Sequence, residues 1–218
     1  MYKPVKTRRY FNRKQRYSAI DWNDEKQVIK AFRQQVIDWY IRPTQVLIRT
    51  PHAAFAVLAH TCILIDALSQ YEAGSSGGSG AVFKGWLLKH FKRLGRTFPT
   101  PIRATVRGTP TPLTNYAEVI YNGVRCGILH EAHVALYGGI TGQKQAVSYQ
   151  KKGWTTYTDL SDCPTVVIHP KLLFKRVKKE FEAYFKHLLD PDPQWQWLRD
   201  NFKKKFLSSY GITIGNEP

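Results

Sequence analysis

The sequence has few cysteines and few acidic residues. Its three cysteines, Cys62, Cys126 and Cys163, are odd in number, far apart and without a C-x-x-C pair. This pattern excludes a disulfide framework and a structural zinc site of the C-x-x-C type, and it favours a reducing compartment. Only 16 Asp and Glu residues stand against 33 Lys and Arg, which gives a net charge of +17 at neutral pH. Such a surface attracts polyanions, with nucleic acid as the leading candidate.

The sequence also lacks a long uninterrupted apolar run. Its N-terminus, MYKPVKTRRYFNRKQRY, has no apolar core of a secretory signal peptide. The most apolar stretch, AAFAVLAHTCILIDAL, is interrupted by His60 and Asp66 and is short for a bilayer span. We therefore expect this stretch to be a buried helix, in a cytoplasmic protein that binds no membrane.

Most of the chain has helical periodicity. With 218 residues, of which 43% are hydrophobic, it is long enough for one sizeable core. Pro43 is predicted to end the first helix, and Gly74 the second, which is apolar nearly all round and should lie at the centre of a bundle. Apolar spacing predicts helices within residues 24–43, 51–73, 81–95, 113–133, 170–189 and 193–211.

Two segments are not predicted to be long helices. Residues 97–112, TFPTPIRATVRGTPTP, contain four prolines. Between residues 144 and 169, alternating patterns predict two short strands around a Lys-Lys-Gly turn, followed by a third strand, TVVIH. The predicted fold class is therefore mostly α, a helical bundle with a small β insertion at about residues 144–169. Residues 1–20 are predicted to be a basic N-terminal arm, and residues 21–218 a single domain.

Cations interleaved with aromatic rings are typical of a single-strand RNA contact, and the N-terminal arm has this composition. A solvated tail would have it too. The basic third helix likewise presents lysines that could face phosphates or water. The candidate RNA-binding residues in these two segments are Arg8, Arg9, Arg13, Lys14, Arg16, Lys89, Lys92 and Arg93.

The stretch NGVRCGILHEAH, residues 122–133, contains the strongest candidates for chemistry. His130 and His133 are three residues apart and would share a helix face, where they could ligate an ion. However, HEAH is not H-E-x-x-H and no third ligand is indicated, so we predict neither a metal nor another cofactor. Ordinary core histidines remain an alternative, because an arginine and a histidine at this spacing arise easily by chance in a basic protein.

With Arg125 followed by His130, VRCGILHEA resembles the HEPN superfamily, all-α ribonuclease-type domains with an R-x4-6-H motif on a late helix. The stretches HTCILIDALSQYEAG and LRDNFKKKF resemble parts of a group of bacterial HEPN-like proteins. That family commonly has Asn, Asp or His directly after the arginine, where this sequence has Cys126.

The resemblance implies a HEPN-like bundle and a metal-independent endoribonuclease that acts as a bacterial toxin or antiphage defence effector, usually as a homodimer. His130 would be a general base or acid, since imidazole titrates near neutral pH, and Arg125 would stabilise charge on the phosphoryl oxygens. Candidate accessory residues are Asp66, Glu72, Cys126 and His133. For Asp66 the alternative is a buried polar group with a structural partner, and for His133 it is a helix histidine.

Helix geometry limits how the side chains of Arg125 and His130 can meet. On an ideal α-helix, residues 125 and 130 are about 140° apart. Their side chains meet only if the arginine swings round, the helix is distorted at Gly127, or a second subunit completes the site.

Two other functions stay open. One is a non-catalytic HEPN-like RNA-binding or assembly module, which Cys126 favours. The other is a subunit of a larger complex, whose basic arm would bind a guide or target nucleic acid. A cognate antitoxin or a defence-complex subunit is a candidate partner in addition to RNA.

Overall fold

The computed structural model describes residues 10–75, 80–106, 109–131, 138–140, 146–150 and 165–215. Within these ranges the chain is mainly helical, as predicted, with two small sheets. The helices are α1 (Glu25–Val36), α2 (Arg42–Leu47), α3 (Ala54–Ala73), α4 (Gly80–His90), α5 (Tyr116–Val119), α6 (Pro170–Leu189) and α7 (Gln196–Tyr210). The strands are β1 (Thr97–Val106), β2 (Thr109–Asn115), β3 (Gly138–Ile140), β4 (Val147–Gln150) and β5 (Thr165–Ile168). Two π-helical stretches, Ile37–Ile41 and Ile120–Glu131, continue α1 and α5; we call the second one the π segment.

The central position predicted for α3 is confirmed. Helices α2, α4, α6 and α7 and the π segment all pack against it. One ring joins four helices: Phe32 of α1 lies 4.4 Å from Tyr71 of α3 and within 6.1 Å of three phenylalanine rings of α6 and α7 (centroid distances). The length and composition of α3 would also suit a membrane span, but half of its most apolar stretch is buried in the structure. Its packing on several sides makes it the core helix of this domain.

Gly74 ends α3 in the left-handed conformation, with φ of 62°, where glycine is favoured because it has no Cβ. The predicted N-terminus is wrong by one turn, because α3 begins at Ala54 and residues 51–53 form a turn. The prediction that Pro43 ends the first helix is also wrong. Pro43 has no N–H to donate, but a helix tolerates proline in its first turn, and Pro43 lies in the first turn of α2. The π turn Ile37–Ile41 comes directly before α2, which runs on to Leu47.

The N-terminal segment packs against the domain from Phe11 onward. The Phe11 side chain is fully buried, and its ring lies 5.7 Å from Trp22, 6.1 Å from Phe206 and 5.6 Å from Tyr210. Asn12 is also buried and donates to the Ala31 carbonyl. The predicted division at residue 20 therefore does not coincide with a break in the packing. Residues 1–9, with Arg8 and Arg9, lie outside the described residues.

The proline-rich segment contributes to two paired strands, which its composition did not predict. Strands β1 and β2 pair antiparallel, with Arg103 opposite Pro112 and Thr105 opposite Pro110, and the register shifts between Thr97 and Ile102. A two-stranded ribbon has two edges, so prolines fit wherever their missing N–H would face outward.

The predicted β insertion is confirmed in part. Strand β5 pairs parallel with β3 and antiparallel with β4, and all four of its residues are buried. Strand β3 lies before the predicted boundary at residue 144. The strand predicted after the Lys-Lys-Gly turn lies outside the described residues.

The start of α4 packs closely against the π segment. A Cβ atom built on Gly80 would lie 2.5 Å from the ring of Tyr121. A Cβ on Gly85, in the same helix, would meet no atom within 4 Å.

We therefore expect Gly80→Ala to lower the free energy of unfolding by about 1–3 kcal/mol, as overpacking does. The control, Gly85→Ala, should be neutral or should stabilise by about 0.5–1 kcal/mol through its better helix propensity. Urea unfolding of both variants checks this. Equal effects of the two substitutions would contradict the packing of Gly80 on Tyr121.

Candidate functional site

Residues Ile120–Glu131 form a π-helix that carries the R-x4-H motif. Asn115 begins the preceding turn, and its side chain accepts a hydrogen bond from the Glu118 amide. The Asn122 side chain then donates to the Glu118 carbonyl at 3.0 Å. In an α-helix this carbonyl would accept from the Asn122 backbone amide, so the side chain competes for it and favours a wider turn. Helices of this type are rare and frequently occur at functional sites.

The π geometry bears directly on the motif. Its hydrogen bonds join residues five apart, so positions 125 and 130 of the backbone lie on nearly the same helix face instead of about 140° apart. The distortion anticipated at Gly127 thus extends over the whole segment. The side chain of His130, and all of His133, lie outside the described residues, and their predicted roles stay predictions.

Arg125 is oriented by Asp66 of α3. Its Nη2 donates to Asp66 Oδ2 at 2.9 Å, and the two side chains are only 14% and 19% exposed. Burial alone would lower the pKa of Arg125, but the hydrogen bond and the charge of Asp66 raise it above its ordinary value. Asp66 thus contacts the motif arginine, and this contact fits both an orienting role and a structural partner for a buried polar group. The guanidinium is therefore a fixed, permanent cation.

Tyr121 lies close to two cations, Arg125 and Lys84. Its ring lies 5.7 Å from the Arg125 guanidinium and 5.9 Å from Lys84 Nζ of α4. On α7, the charge of Asp66 acts on half-buried Lys205, whose pKa is lowered by burial and partly restored by that carboxylate. Sequence reasoning missed both lysines as site residues, because 41 positions separate Lys84 from Arg125 and 80 separate Arg125 from Lys205.

Both described cysteines lie near the pair. Cys62 is one turn before Asp66 on α3, and burial raises the pKa of its thiol to about 12, so it is neutral. Cys126 is half-buried and packs against the core. An apolar residue directly after Arg125 therefore suits the packing of this segment.

Glu72 belongs to a different cluster. Its carboxylate accepts from Trp86 Nε1 at 2.8 Å, from Lys89 Nζ at 2.5 Å and from His90 Nε2 at 2.9 Å. His90 Nδ1 contacts Glu180 of α6 at 3.0 Å. His90 thus links α3, α4 and α6, and Glu72 does not orient Arg125.

Burial alone would raise the pKa of Glu72, but its hydrogen bonds with His90 and Lys89 lower it. Burial alone would lower the pKa of His90, but Glu72 and Glu180 raise it. We conclude that the two carboxylates favour the imidazolium form of His90, which lies between them.

The remaining RNA-binding candidates lie on α4, in the turn after it and in the N-terminal segment. Lys89 contacts Glu72 and lies 4.9 Å from the ring of Trp197. Lys92 and Arg93 are exposed in the turn after α4. Arg13, Lys14 and Arg16 are exposed in the N-terminal segment, where the Arg16 guanidinium lies 5.5 Å from the Tyr10 ring.

No protein-family model matches the chain, and neither a curated protein nor a solved structure is detectably similar to it. The likeness to HEPN domains therefore rests on the residues quoted above.

The Asp66–Arg125 pair should be measurable by a double-mutant cycle. Asp66→Ala and Arg125→Ala should each lower the free energy of unfolding by about 1.5–3 kcal/mol, because each leaves a half-buried charge without this partner. The double variant should cost about 1–2 kcal/mol less than the sum of the two. Urea unfolding gives all four values. The control cycle on the exposed pair Arg33–Glu182, with side chains 37% and 44% exposed, should show a coupling below about 1 kcal/mol. Equal coupling in both cycles would contradict a special role for Asp66.

The His90 cluster predicts a pH dependence of stability. Because the folded pKa of His90 is raised, its contribution is complete below its ordinary pKa of 6.5 and is lost as pH rises through the folded value. Because the pKa of Glu72 is lowered, its contribution is present above 4.5 and is lost as pH falls. The difference in unfolding free energy between wild type and His90→Gln should therefore be largest between pH 4.5 and 6.5 and shrink at higher pH.

The control is Trp86→Phe, which removes a neutral donor to Glu72. Its cost should stay constant as pH rises above 6.5. Urea midpoints measured across the pH range compare the two variants. A pH-independent difference for His90→Gln would refute the charged cluster.

Proposed function

We propose that the protein is a metal-independent endoribonuclease of HEPN type. The observation that supports this most is the π segment, because it gives positions 125 and 130 a common helix face and so suits an R-x4-H motif. The fixed orientation of Arg125 on Asp66 adds support, since phosphoryl-transfer sites depend on preorganised cations. The net charge of +17 fits an RNA substrate.

The proposed reaction is an internal transesterification. His130 takes the proton of a ribose 2′-hydroxyl, and the 2′-oxygen forms a bond to the adjacent phosphorus. The bond from phosphorus to the 5′-oxygen breaks, and that oxygen leaves with a proton from a general acid. The products are a 2′,3′-cyclic phosphate and a 5′-hydroxyl end, and no metal takes part.

The cations assembled by the fold would stabilise the charged phosphorane. Arg125 is the proposed contact to its oxygens, with the planar, permanently charged group that suits them. Asp66 offsets one positive charge, and Lys84, which lies 5.9 Å from the Tyr121 ring beside Arg125, adds another. By analogy with HEPN domains, the second histidine would come from a partner in a homodimer, and the protein would act as a toxin or antiphage defence effector.

A second candidate is a HEPN-like RNA-binding module without catalysis. Two observations favour it: the Arg125 side chain is only 14% exposed, and Cys126 packs against the core. Such a module would bind RNA and leave it intact.

The test is cleavage of labelled RNA in EDTA by wild type, Arg125→Ala and His130→Ala. Wild type should yield 2′,3′-cyclic phosphate ends, and each variant should be slower by about 100-fold or more, the usual loss on removal of an acid–base group or a charge-stabilising donor. The control is Arg49→Ala, an exposed arginine after α2, which should cleave like wild type.

Each result decides between the candidates. Cleavage that survives in both motif variants would remove Arg125 and His130 from the chemistry. RNA that is bound but cut by no protein would favour the binding module. Growth of the host gives a second readout, because expression of wild type should slow growth and His130→Ala should relieve the effect.

A further inference from the structure

Helix α6 presents a row of four lysines opposite its buried face. Lys171, Lys175, Lys178 and Lys179 recur at helical spacing over about 12 Å of the helix axis, and we call them the α6 basic stripe. Lys171, Lys175 and Lys179 are exposed and Lys178 is half-buried. On the other side of the helix, side chains such as Leu173, Val177 and Phe181 are buried in the core.

The acids of α6 do not neutralise this stripe. Glu180 contacts His90, and Glu182 forms an ion pair with Arg33 of α1. Within the described ranges of the chain, none of the four stripe lysines forms an ion pair or a side-chain hydrogen bond. Other cations do have acidic partners, for example Lys203 with Glu25 and Arg42 with Asp38. Among the residues that the structure describes, the stripe therefore places four cations without acidic partners on one side of α6.

A second group of cations lies near the contact of α4 with α6. The contact of His90 with Glu180 brings the end of α4 to α6. Exposed Lys92 and Arg93 follow His90 by two and three residues. Exposed Arg176 lies one turn before Glu180, on the side of α6 that meets α4. Lys92, Arg93 and Arg176 therefore lie around the contact of α4 with α6, on a different side of α6 from most of the stripe.

We propose that the α6 basic stripe binds the sugar–phosphate backbone of an RNA strand, independently of base sequence. This inference rests on RNA being the ligand in the proposed function and names the surface that holds it. None of the exposed large hydrophobic side chains found among the described residues lies on α6, so the stripe offers charge without rings to stack on bases.

The same observation argues against a membrane. Amphipathic helices bind membranes by burying their apolar face in lipid, and the apolar face of α6 is in the protein core. It also argues against a protein partner, because protein interfaces depend on buried aromatic and aliphatic anchors. Phosphates require only the cations that are present.

The test measures binding of a fluorescent 2′-O-methyl oligoribonucleotide of mixed sequence by anisotropy, from about 50 to 200 mM salt. This ligand has no 2′-hydroxyl nucleophile, so binding does not depend on whether the protein cleaves RNA. The triple variant Lys171→Gln, Lys175→Gln, Lys179→Gln should reduce the slope of log affinity against log salt by about 2, since each single-strand phosphate contact contributes about 0.7. At about 0.1 M salt this corresponds to a loss of roughly 100-fold in affinity.

The control carries the same change of charge at scattered exposed positions, Arg49→Gln, Arg103→Gln, Lys204→Gln. Its slope should change by less than about 0.7, the value of one contact. Equal losses in the two triple variants would show that binding follows net charge alone and would overturn the proposal. So would binding of wild type to vesicles of phosphatidylserine and phosphatidylcholine in equal parts but not to the oligonucleotide, or binding to neither. Intact binding without cleavage of natural RNA would count against the ribonuclease function only.

Discussion

The structure depends on the burial of α3. This helix is apolar around most of its circumference, so helices must cover it on several sides, and α6, α4 and α7 do so. Two carboxylates on such a helix need partners, because an unpaired charge in a poorly solvated place is costly. Asp66 forms an ion pair with Arg125, and Glu72 contacts Lys89 and His90. The positions of the π segment and of α4 around α3 are thereby fixed by charge as well as by packing.

The second constraint is the pitch of the π segment. An α-helix would send positions 125 and 130 to different faces, whereas hydrogen bonds between residues five apart bring them to one. Asn122 favours the wider turn by occupying the Glu118 carbonyl. Local polar chemistry three residues before Arg125 therefore sets the geometry of the motif.

Paired and unpaired charges are distributed unevenly over the described part of the molecule. Several of the few acidic side chains form contacts between helices. Glu72 and Glu180 both contact His90, and Glu182 pairs with Arg33. The positive charge of Arg33 and His90 is thus offset locally, while exposed lysines of the α6 basic stripe face solvent. A net charge spread evenly over the surface would attract any polyanion, but a row on one rigid helix gives a bound strand a direction.

The sequence by itself determined the helical character of the chain, the central place of α3, the stop at Gly74 and strands β4 and β5, because these depend on periodicity and local backbone preference. It also singled out Arg125 and Asp66. Only the tertiary structure decided that Asp66 pairs with Arg125 and that Glu72 contacts His90, since these contacts join different helices, across 59 and 18 positions of the chain. It likewise decided the hairpin of β1 and β2, where proline is tolerated because a ribbon has free edges, and the packing of Phe11 in a segment whose composition resembles a solvated arm. The local sequence determines the backbone conformation that a residue favours, and the tertiary structure determines which partner its side chain contacts.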